Sequence, residues 1–282
     1  MKFGIFIPNY GSYASRKTIE KIAFNAEKLE FDSIWVSDHI IVPKKFSKLF
    51  SNVYEPIATL SYLAAKTENL ILGTSVVVLP LRDPVLFAKQ IATIDQLTDC
   101  EIYLGLGSGW LKEEFDFLGK NFKERGKIMD DEIIMIKNLL TNNVIKINNE
   151  EYYFSPISKK RNGPPMLIGG NSRRAMERAA KIAEGWHPIR LKPKEIEKGI
   201  RIMQKYSVQR KIVIPRVSIM FKGQNRLQTD NVLASSSRQI MEEFEELNKL
   251  GINHIVIDFP VEQQPEKYVE DMKTVKNLTS SF

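Results

Sequence analysis

The chain has 282 residues, of which 43% are apolar and 27% charged, a balance that excludes a disordered or fibrous protein and allows one large α/β domain or two small ones. Its net charge is +7, but the basic residues are interleaved with glutamates along the predicted helices, which argues against a nucleic-acid-binding surface. The single cysteine, Cys100, excludes an intramolecular disulfide and is expected to be a buried structural thiol.

The first residues show no targeting signal. Residues 1–8 begin directly with a strand pattern, and the longest apolar run, near 71–81, is interrupted by glycine, serine and proline and is too short to span a bilayer. We therefore expect a cytoplasmic protein with a small-molecule substrate, no membrane association and no nucleic-acid partner.

Strand and helix patterns alternate along the chain. Apolar runs predict strands at 2–8, 33–37, 70–79, 101–105, 166–168, from 186, at 212–221 and at 254–259. Helical periodicity predicts helices from 15, at 55–66 and 83–97, after 109, and at 123–140, 173–184, 193–206, 235–250 and 265–277. The segment 142–163 interrupts the alternation with short β-like runs, which predicts a small hairpin insertion.

Eight strand–helix units predict an α/β fold of the TIM (β/α)8 barrel type, with one domain over residues 1–282. A doubly wound open sheet is the alternative, but the residues after the first strand, Pro8-Asn9-Tyr10-Gly11, are no dinucleotide-binding fingerprint. In a barrel the active site lies at the carboxyl ends of the strands. The residues at those positions are Asn9, Asp38, His39, Ser75 to Leu79, Gly107 to Trp110, Gly169 to Ser172 and His187.

The stretch 164–188 has the pattern strand, glycine turn, helix, strand. Gly169 and Gly170 would let a ligand approach the backbone, and Asn171 and Ser172 are suitable N-cap residues for a helix that begins at Arg173. Free amides and the helix dipole favour an anion there, so we interpret the turn as the seat of a phosphate. The alternative is a plain connection whose glycines only turn the chain.

Of the three histidines, His39 is the first candidate for chemistry. It follows a strand end, where an imidazole could transfer a proton or bind a substrate or cofactor oxygen, although it could also be a loop histidine held by Asp38. His187 is the second candidate. His254 begins a strand on the opposite rim and is expected to be structural.

The remaining motifs favour a cofactor over a catalytic triad or a metal. No metal-ligand spacing is visible, and Gly107-Ser108-Gly109 lacks the nucleophile-elbow pattern of serine hydrolases. Few side chains are left to perform chemistry, which indicates that a bound cofactor does so. Gly107 and Gly109 would admit a flat ring close to the backbone, while Trp110 would border a substrate cavity or fill the core.

Four ordered segments carry a more specific signal. They are Trp35 to His39; Leu72 to Pro84; Gly105 to Phe115, followed by Glu124 to Gly126; and Ile168 to Ser172, followed by Glu184 to Pro188. Together they resemble the luciferase-like monooxygenase family, especially its deazaflavin-dependent oxidoreductase branch, and the likeness covers nearly the whole chain.

The resemblance implies a TIM barrel, commonly dimeric, that binds the 5-deazaflavin coenzyme F-420 or, alternatively, FMN. It implies a cofactor ring over a bulge in strand three with a cis Ser75–Val76 peptide, a phosphate near Gly169 to Ser172, and His39 as the active-site histidine. The cofactor-binding residues expected on this basis are Asp38, Ser75, Val76, Gly107, Ser108, Gly169, Gly170, Asn171 and Ser172. Asn9, Trp110 and His187 are expected in the substrate pocket, and no metal is expected.

One position departs from the resemblance. Deazaflavin-dependent glucose-6-phosphate dehydrogenases in this family have a glutamate as proton donor where this chain has Trp110. Sugar-phosphate dehydrogenation is therefore not expected, and an apolar substrate is favoured.

The sequence thus predicts an oxidoreductase that transfers a hydride between a deazaflavin and a small organic substrate. An FMN monooxygenase using dioxygen is the alternative on the same scaffold. A non-redox phosphate-binding lyase or isomerase, and a flavin-binding protein without catalysis, are the alternatives of other classes.

Overall fold

Parallel strands form the centre of the molecule, and helices cover them. A computed structural model describes residues 1–221, 224, 236–280 and 282. The strands are β1 (Lys2–Phe6), β2 (Ser33–Val36), β3 (Ile71–Thr74), β4 (Val77–Val78), β5 (Ile102–Gly107), β6 (Val144–Ile147), β7 (Glu150–Tyr153), β8 (Met166–Gly169), β9 (Gly185–His187), β10 (Ile212–Val213), β11 (Arg216–Ser218) and β12 (His254–Asp258).

The helices follow the strands in the order that the sequence predicts. They are α1 (Arg16–Lys28), α2 (Pro56–Ala64), α3 (Pro84–Leu97), α4 (Lys112–Phe117), α5 (Arg125–Thr141), α6 (Arg173–Ile182), α7 (Pro193–Gln204), α8 (Ser237–Lys249) and α9 (Pro265–Thr279). The predicted start of α8, Ser235, lies outside the described residues. Among the described residues, no helix has both the length and the apolar character needed to cross a bilayer.

Neighbouring strands pair in the order β10-β9-β8-β5-β3-β2-β1-β12-β11, and every pair in this order is parallel. Residues 212–218 close the ring, because Ile212 pairs with Gly185 on one side and Arg216 pairs with Val256 on the other. An isolated bridge between Ile189 and Arg216 completes the junction. The barrel prediction is confirmed, and the open sheet is excluded.

Two strands that were predicted as continuous are interrupted. Strand three divides into β3 and β4 at Ser75–Val76, whose peptide bond is cis, as the resemblance implies. Strand seven divides into β10 and β11 around Pro215, which has no N–H to donate to a neighbouring strand. The prediction of single strands over 70–79 and 212–221 was therefore wrong at these points.

The insertion predicted at 142–163 contains a hairpin. β6 and β7 are antiparallel and exposed, and they are joined at Asn148 and Asn149, which have positive φ values of 50° and 66°. Asparagine tolerates this left-handed conformation, and two such residues form the tight turn that suits a hairpin. The predicted hairpin is confirmed.

Side chains fill the barrel lumen beneath the carboxyl-terminal rim. The fully buried indole of Trp35 lies against Gly73, where a Cβ would come within 2.3 Å of the ring. The His187 ring stacks on Trp35 with centroids 5.1 Å apart and an interplanar angle of 7°. His254 bonds to Ser33 through Nε2 at 2.8 Å on the side away from the site, consistent with the structural role expected for it.

Candidate active site

A cavity of about 330 Å³ opens at the carboxyl ends of the strands, where the barrel rule expects the site. The predicted residues that line it are Asp38, His39, Ser75, Val76, Gly107, Ser108, Trp110, Gly169 and Gly170. The other predicted residues, Asn9, Asn171, Ser172 and His187, lie in the surrounding structure and not in this lining.

The glycines of the rim form a socket for Val76. A Cβ on Gly107 would lie 2.7 Å from Val76 Cγ2, and a Cβ on Gly169 would lie 2.6 Å from Val76 Cγ1. Gly105 is also adjacent, since a Cβ there would lie 3.2 Å from Val76 Cγ1. These glycines are therefore required by the packing of the strand-three bulge, a reason that the sequence pattern did not indicate.

Asp38 fixes the same bulge from the other side. Its carboxylate accepts hydrogen bonds from the Val78 amide at 2.9 Å and from Arg82 Nη2 at 2.8 Å, and Arg82 Nη1 also donates to Glu55 at 2.7 Å. Burial raises the pKa of the Asp38 carboxyl, while the Arg82 guanidinium opposes that shift. Although Asp38 lines the cavity, its oxygens are engaged in positioning β4.

His39 is held by Glu114 and not by Asp38. Glu114 Oε2 lies 3.1 Å from His39 Nδ1, and Oε1 accepts from the amides of Ile40 at 2.6 Å and Ile41 at 3.2 Å. Both side chains are buried, His39 at 8% and Glu114 at 1% exposure. Because a carboxylate only accepts hydrogen bonds, His39 Nδ1 carries the proton and Nε2 is left for a ligand.

His187 lies beneath the cavity and is fixed in one tautomer. Its Nδ1 is 2.6 Å from the Ile214 carbonyl, which can only accept, so Nδ1 donates and Nε2 accepts from Ser75 Oγ at 2.8 Å. Burial lowers the pKa of His187 to about 3, so the ring is neutral. His187 thereby orients the hydroxyl of Ser75 and is placed to support the floor of the site.

Asn9 also has a positioning role in this structure. Its amide nitrogen donates to the carbonyls of Ser37 at 2.7 Å and Tyr54 at 2.9 Å, and its oxygen accepts from the Ser37 amide at 2.9 Å. The fully buried side chain therefore joins the loop after β1 to the two ends of the segment between β2 and α2.

The predicted phosphate turn combines an open backbone with a helix start. Gly170 has a φ of 108°, and a Cβ there would meet only Ala175 Cβ, at 3.5 Å. Ser172 caps α6 by accepting from the Ala175 amide at 3.2 Å, and Asn171 is bonded to the backbone of Ile189 through both ends of its side-chain amide. The first amides of α6 have no partner within the helix, so an anion could bind here.

A buried ionic group beside Ser75 was missed by the sequence analysis. Arg216 Nη1 donates to the Ser75 carbonyl at 3.3 Å, Nη2 pairs with Asp258 at 3.3 Å, and the guanidinium lies 3.5 Å from the Phe6 ring centroid. Asp258 also accepts from Ser218 Oγ at 2.6 Å. Arg216 begins β11 and Asp258 ends β12. These two charged residues were the available signal, since charged residues in a barrel strand need an internal partner.

An aromatic wall completes the cavity. We use this term for Tyr10, Phe50 and Trp110, which all line it. The Phe50 ring centroid lies 5.4 Å from that of Tyr10, 6.3 Å from that of Trp110 and 4.3 Å from that of His39. Trp110 thus borders the cavity and does not fill the core.

A family comparison agrees with this geometry. A model of the luciferase-like monooxygenase family matches residues 1–224. The chain belongs to this family. The alkanal monooxygenase alpha chain of Photorhabdus luminescens is a relative that is 25% identical over 191 residues, covering 64% of this chain and 51% of the relative. An uncharacterized protein of Mycobacterium tuberculosis is 32% identical over 128 residues, or 44% of each chain. The matched regions span about half the length of these curated relatives.

Solved structures share the luciferase-like barrel over almost the full chain. Monooxygenase RslO1 from Streptomyces bottropensis superposes with a TM-score of 0.80 at 16% identity, covering 99% of this chain and 98% of that one. An F-420-dependent secondary alcohol dehydrogenase in complex with an F-420–acetone adduct gives a TM-score of 0.73 at 15% identity, covering 98% of both chains. The oxygenating constituent of 3,6-diketocamphane monooxygenase from Pseudomonas putida, in complex with FMN, gives 0.69 at 14% identity, covering 98% and 95%. At these identities the likeness shows the fold alone.

Proposed function

We propose that this luciferase-like protein is an oxidoreductase that binds coenzyme F-420 and transfers a hydride between it and a small organic substrate. The observation that carries the proposal is the His39–Glu114 pair: both side chains are buried, and His39 lines a cavity that is also lined by glycine backbone. A general acid or base facing a surface that admits a flat ring is the arrangement that a cofactor-dependent redox reaction needs.

The residues of the cavity fit a flavin-type cofactor. Gly107, Ser108, Gly169 and Gly170 offer backbone with little side-chain bulk, and the start of α6 offers unused amides beside the exposed Arg173 and Arg174. The rim would hold the ring, and the helix start would hold an anionic tail. When bound, the cofactor would supply the hydride chemistry.

The chain's own residues would orient the substrate and handle its proton. Glu114 fixes the proton on His39 Nδ1, so Nε2 can accept a proton from a substrate hydroxyl or, once protonated, return it to a carbonyl oxygen. The Ser75 hydroxyl donates its proton to His187 Nε2, so toward a ligand the Ser75 oxygen can only accept a hydrogen bond.

FMN is the second candidate cofactor, with dioxygen as the oxidant. The alkanal monooxygenase relative and the FMN-bound diketocamphane enzyme support this alternative. Position 5 of a deazaflavin is carbon, so reduced F-420 avoids reaction with oxygen, whereas reduced FMN does not. The rate at which air oxidises the reduced holoenzyme therefore separates the two candidates.

The decisive experiment is titration of the apoprotein with F-420 and with FMN, followed by the fluorescence of each ring. We expect saturable binding of F-420 that is tighter than binding of FMN. Tighter FMN binding would replace the first candidate with the second, and binding of neither would leave a non-redox lyase or isomerase.

A variant tests whether the site is catalytic. His39→Ala should retain cofactor binding and lose about 10²–10⁴-fold in turnover, the usual contribution of a positioned acid or base. Unchanged turnover by His39→Ala would contradict the assigned role of His39. No turnover by the unmodified protein with any tested substrate, despite cofactor binding, would favour a flavin-binding protein without catalysis.

We further propose that the protein is a cytoplasmic homodimer. The outward face of α3 carries Leu86 and Leu97, which are 58% and 81% exposed, and Leu97 lies beside the exposed small residues Ala58 and Ser61 of α2. A large exposed leucine beside a surface of small side chains supports burial against a second copy of the chain.

A further inference from the structure

The aromatic wall gives the substrate side of the cavity a distinct chemistry. Trp110 is 54% exposed although its ring already contacts His39, Phe46 and Phe50, with centroids 5.9, 5.5 and 6.3 Å away. It lines the cavity, so part of its exposed surface faces that space. An indole held by ring contacts, with free surface toward a cavity, is suited to cover a flat apolar molecule.

The charges behind this wall disfavour an anionic ligand. Glu114 lies directly behind His39 and is 1% exposed, so its carboxylate is shielded from water. Lys45 and Lys112 do not line the cavity, and their ammonium groups pair with Glu113 and Asp116, respectively. A substrate carboxylate beside His39 would therefore meet a like charge, whereas a hydroxyl or carbonyl would meet an imidazole nitrogen.

We propose that the aromatic wall selects a flat, neutral and largely apolar substrate whose single hydroxyl or carbonyl group faces His39 Nε2. This inference names the substrate class of the proposed oxidoreductase site and rests on that function. The competing possibility is an anionic substrate, which would bind at Arg190 and Arg216, two basic residues that line the same cavity.

Three one-ring probes of similar size distinguish these cases: 4-methylbenzyl alcohol, which is neutral; 4-(hydroxymethyl)benzoate, which is anionic; and 4-(aminomethyl)benzyl alcohol, which is cationic. Binding can be followed by tryptophan fluorescence, because Trp35 and Trp186 are 0% exposed and Trp110 is the accessible indole. Each titration is made on the apoprotein and on protein saturated with reduced F-420, which cannot accept a hydride from an alcohol, so that binding is measured without turnover.

We expect the neutral probe to quench the fluorescence and to bind at least about tenfold more tightly than the anion. Tighter binding of the anion or the cation, or no quenching by the neutral probe in either form of the protein, would overturn the inference.

Variants then locate the binding surface by calorimetry, which does not depend on the indole. Trp110→Ala should weaken binding of the neutral probe by about tenfold, while Trp110→Phe should retain most of it. Phe117→Ala is the matched control, since Phe117 is a 71% exposed aromatic residue of the adjacent helix α4 that does not line the cavity. Equal affinities of Trp110→Ala and Phe117→Ala would overturn the inference.

These measurements, taken together with the titrations of F-420 and FMN, separate this inference from the proposed function. Selective binding of the neutral probe by a protein that ignores both cofactors would refute the redox function and leave the aromatic site. Binding of F-420 without preference for the neutral probe would refute the substrate class alone.

Discussion

The socket around Val76 gives a quantitative prediction. A Cβ at residue 107 would lie 2.7 Å from Val76 Cγ2, and its next contacts would lie at an ordinary 3.8 Å. Gly107→Ala should therefore cost about 1–3 kcal/mol of unfolding free energy, the usual penalty for overpacking. Val76→Ala alone should cost about 1 kcal/mol, because the residue is only partly buried.

The double variant tests whether the two residues act through one contact. If the added methyl group meets only the Val76 side chain, Val76→Ala removes the clash, and the double variant should be about 1–2 kcal/mol more stable than the sum of the single effects predicts. Urea unfolding, followed by circular dichroism, measures this coupling. Gly105→Ala is the control, since its Cβ would lie 2.0 Å from the backbone oxygen of Thr74, which Val76→Ala does not remove.

Strict additivity of Gly107→Ala and Val76→Ala would refute the packing explanation. Cofactor titration of the double variant then addresses the earlier explanation, that Gly107 admits a ring to the backbone. Restored stability with lost cofactor binding would mean that the glycine serves both purposes.

Three further predictions concern pH and assembly. Burial lowers the pKa of both His187 and His254 to about 3 from 6.5, so the unfolded chain binds more protons than the native state between these pH values. The free energy of unfolding should therefore fall by about 1.4 kcal/mol per histidine for each pH unit below 6.5. Urea unfolding from pH 7 to 5 measures this slope, and His254→Gln should reduce it. Burial raises the pKa of Glu132 to about 7 from 4.5, so between these pH values the native state holds a proton on Glu132 that the unfolded chain has lost. The free energy of unfolding therefore falls as pH rises through this window. Glu132→Gln should be more stable than the parent by about 2 kcal/mol at pH 8 and equal to it near pH 4.5. Leu97→Glu should convert the proposed dimer to a monomer in sedimentation, whereas Phe117→Glu, a change at another exposed apolar residue, should not.

Each of these has a contrary outcome. A flat stability profile between pH 7 and 5 would contradict neutral burial of the two histidines, and equal stabilities of the Glu132→Gln variant and the parent at pH 8 would contradict the raised pKa of Glu132. A Leu97→Glu protein with unchanged mass in solution would remove α3 from the proposed interface.

The fold was predictable because its signals are local. Apolar runs bounded by helical segments are repeated eight times, and residues such as Ser15 and Asp83 cap helices as their positions suggest. The breaks within strands three and seven were harder to predict from the sequence. Pro215 interrupts an apolar run and could have indicated a break, whereas the cis Ser75–Val76 bond was implied only by the family resemblance.

The site was predictable only as far as strand ends define it. His39 and the rim glycines follow from the barrel rule, but the partner of His39 does not, because Glu114 is 75 positions away in sequence. Arg216 and Asp258, separated by 42 positions, pair for the same non-local reason. Periodicity specifies which face of an element is buried, but it does not specify which polar groups meet across the barrel.

The Glu114 carboxylate has a practical implication for protein engineering. Its hydrogen bonds to His39, Ile40 and Ile41 join the segment after β2 to α4, so the positions of these two segments are coupled. A graft of the segment 40–54 that moves the backbone amides of residues 40 and 41 would leave the buried Glu114 carboxylate with fewer hydrogen-bond donors. Loop-swapping libraries on this scaffold should therefore vary both segments together.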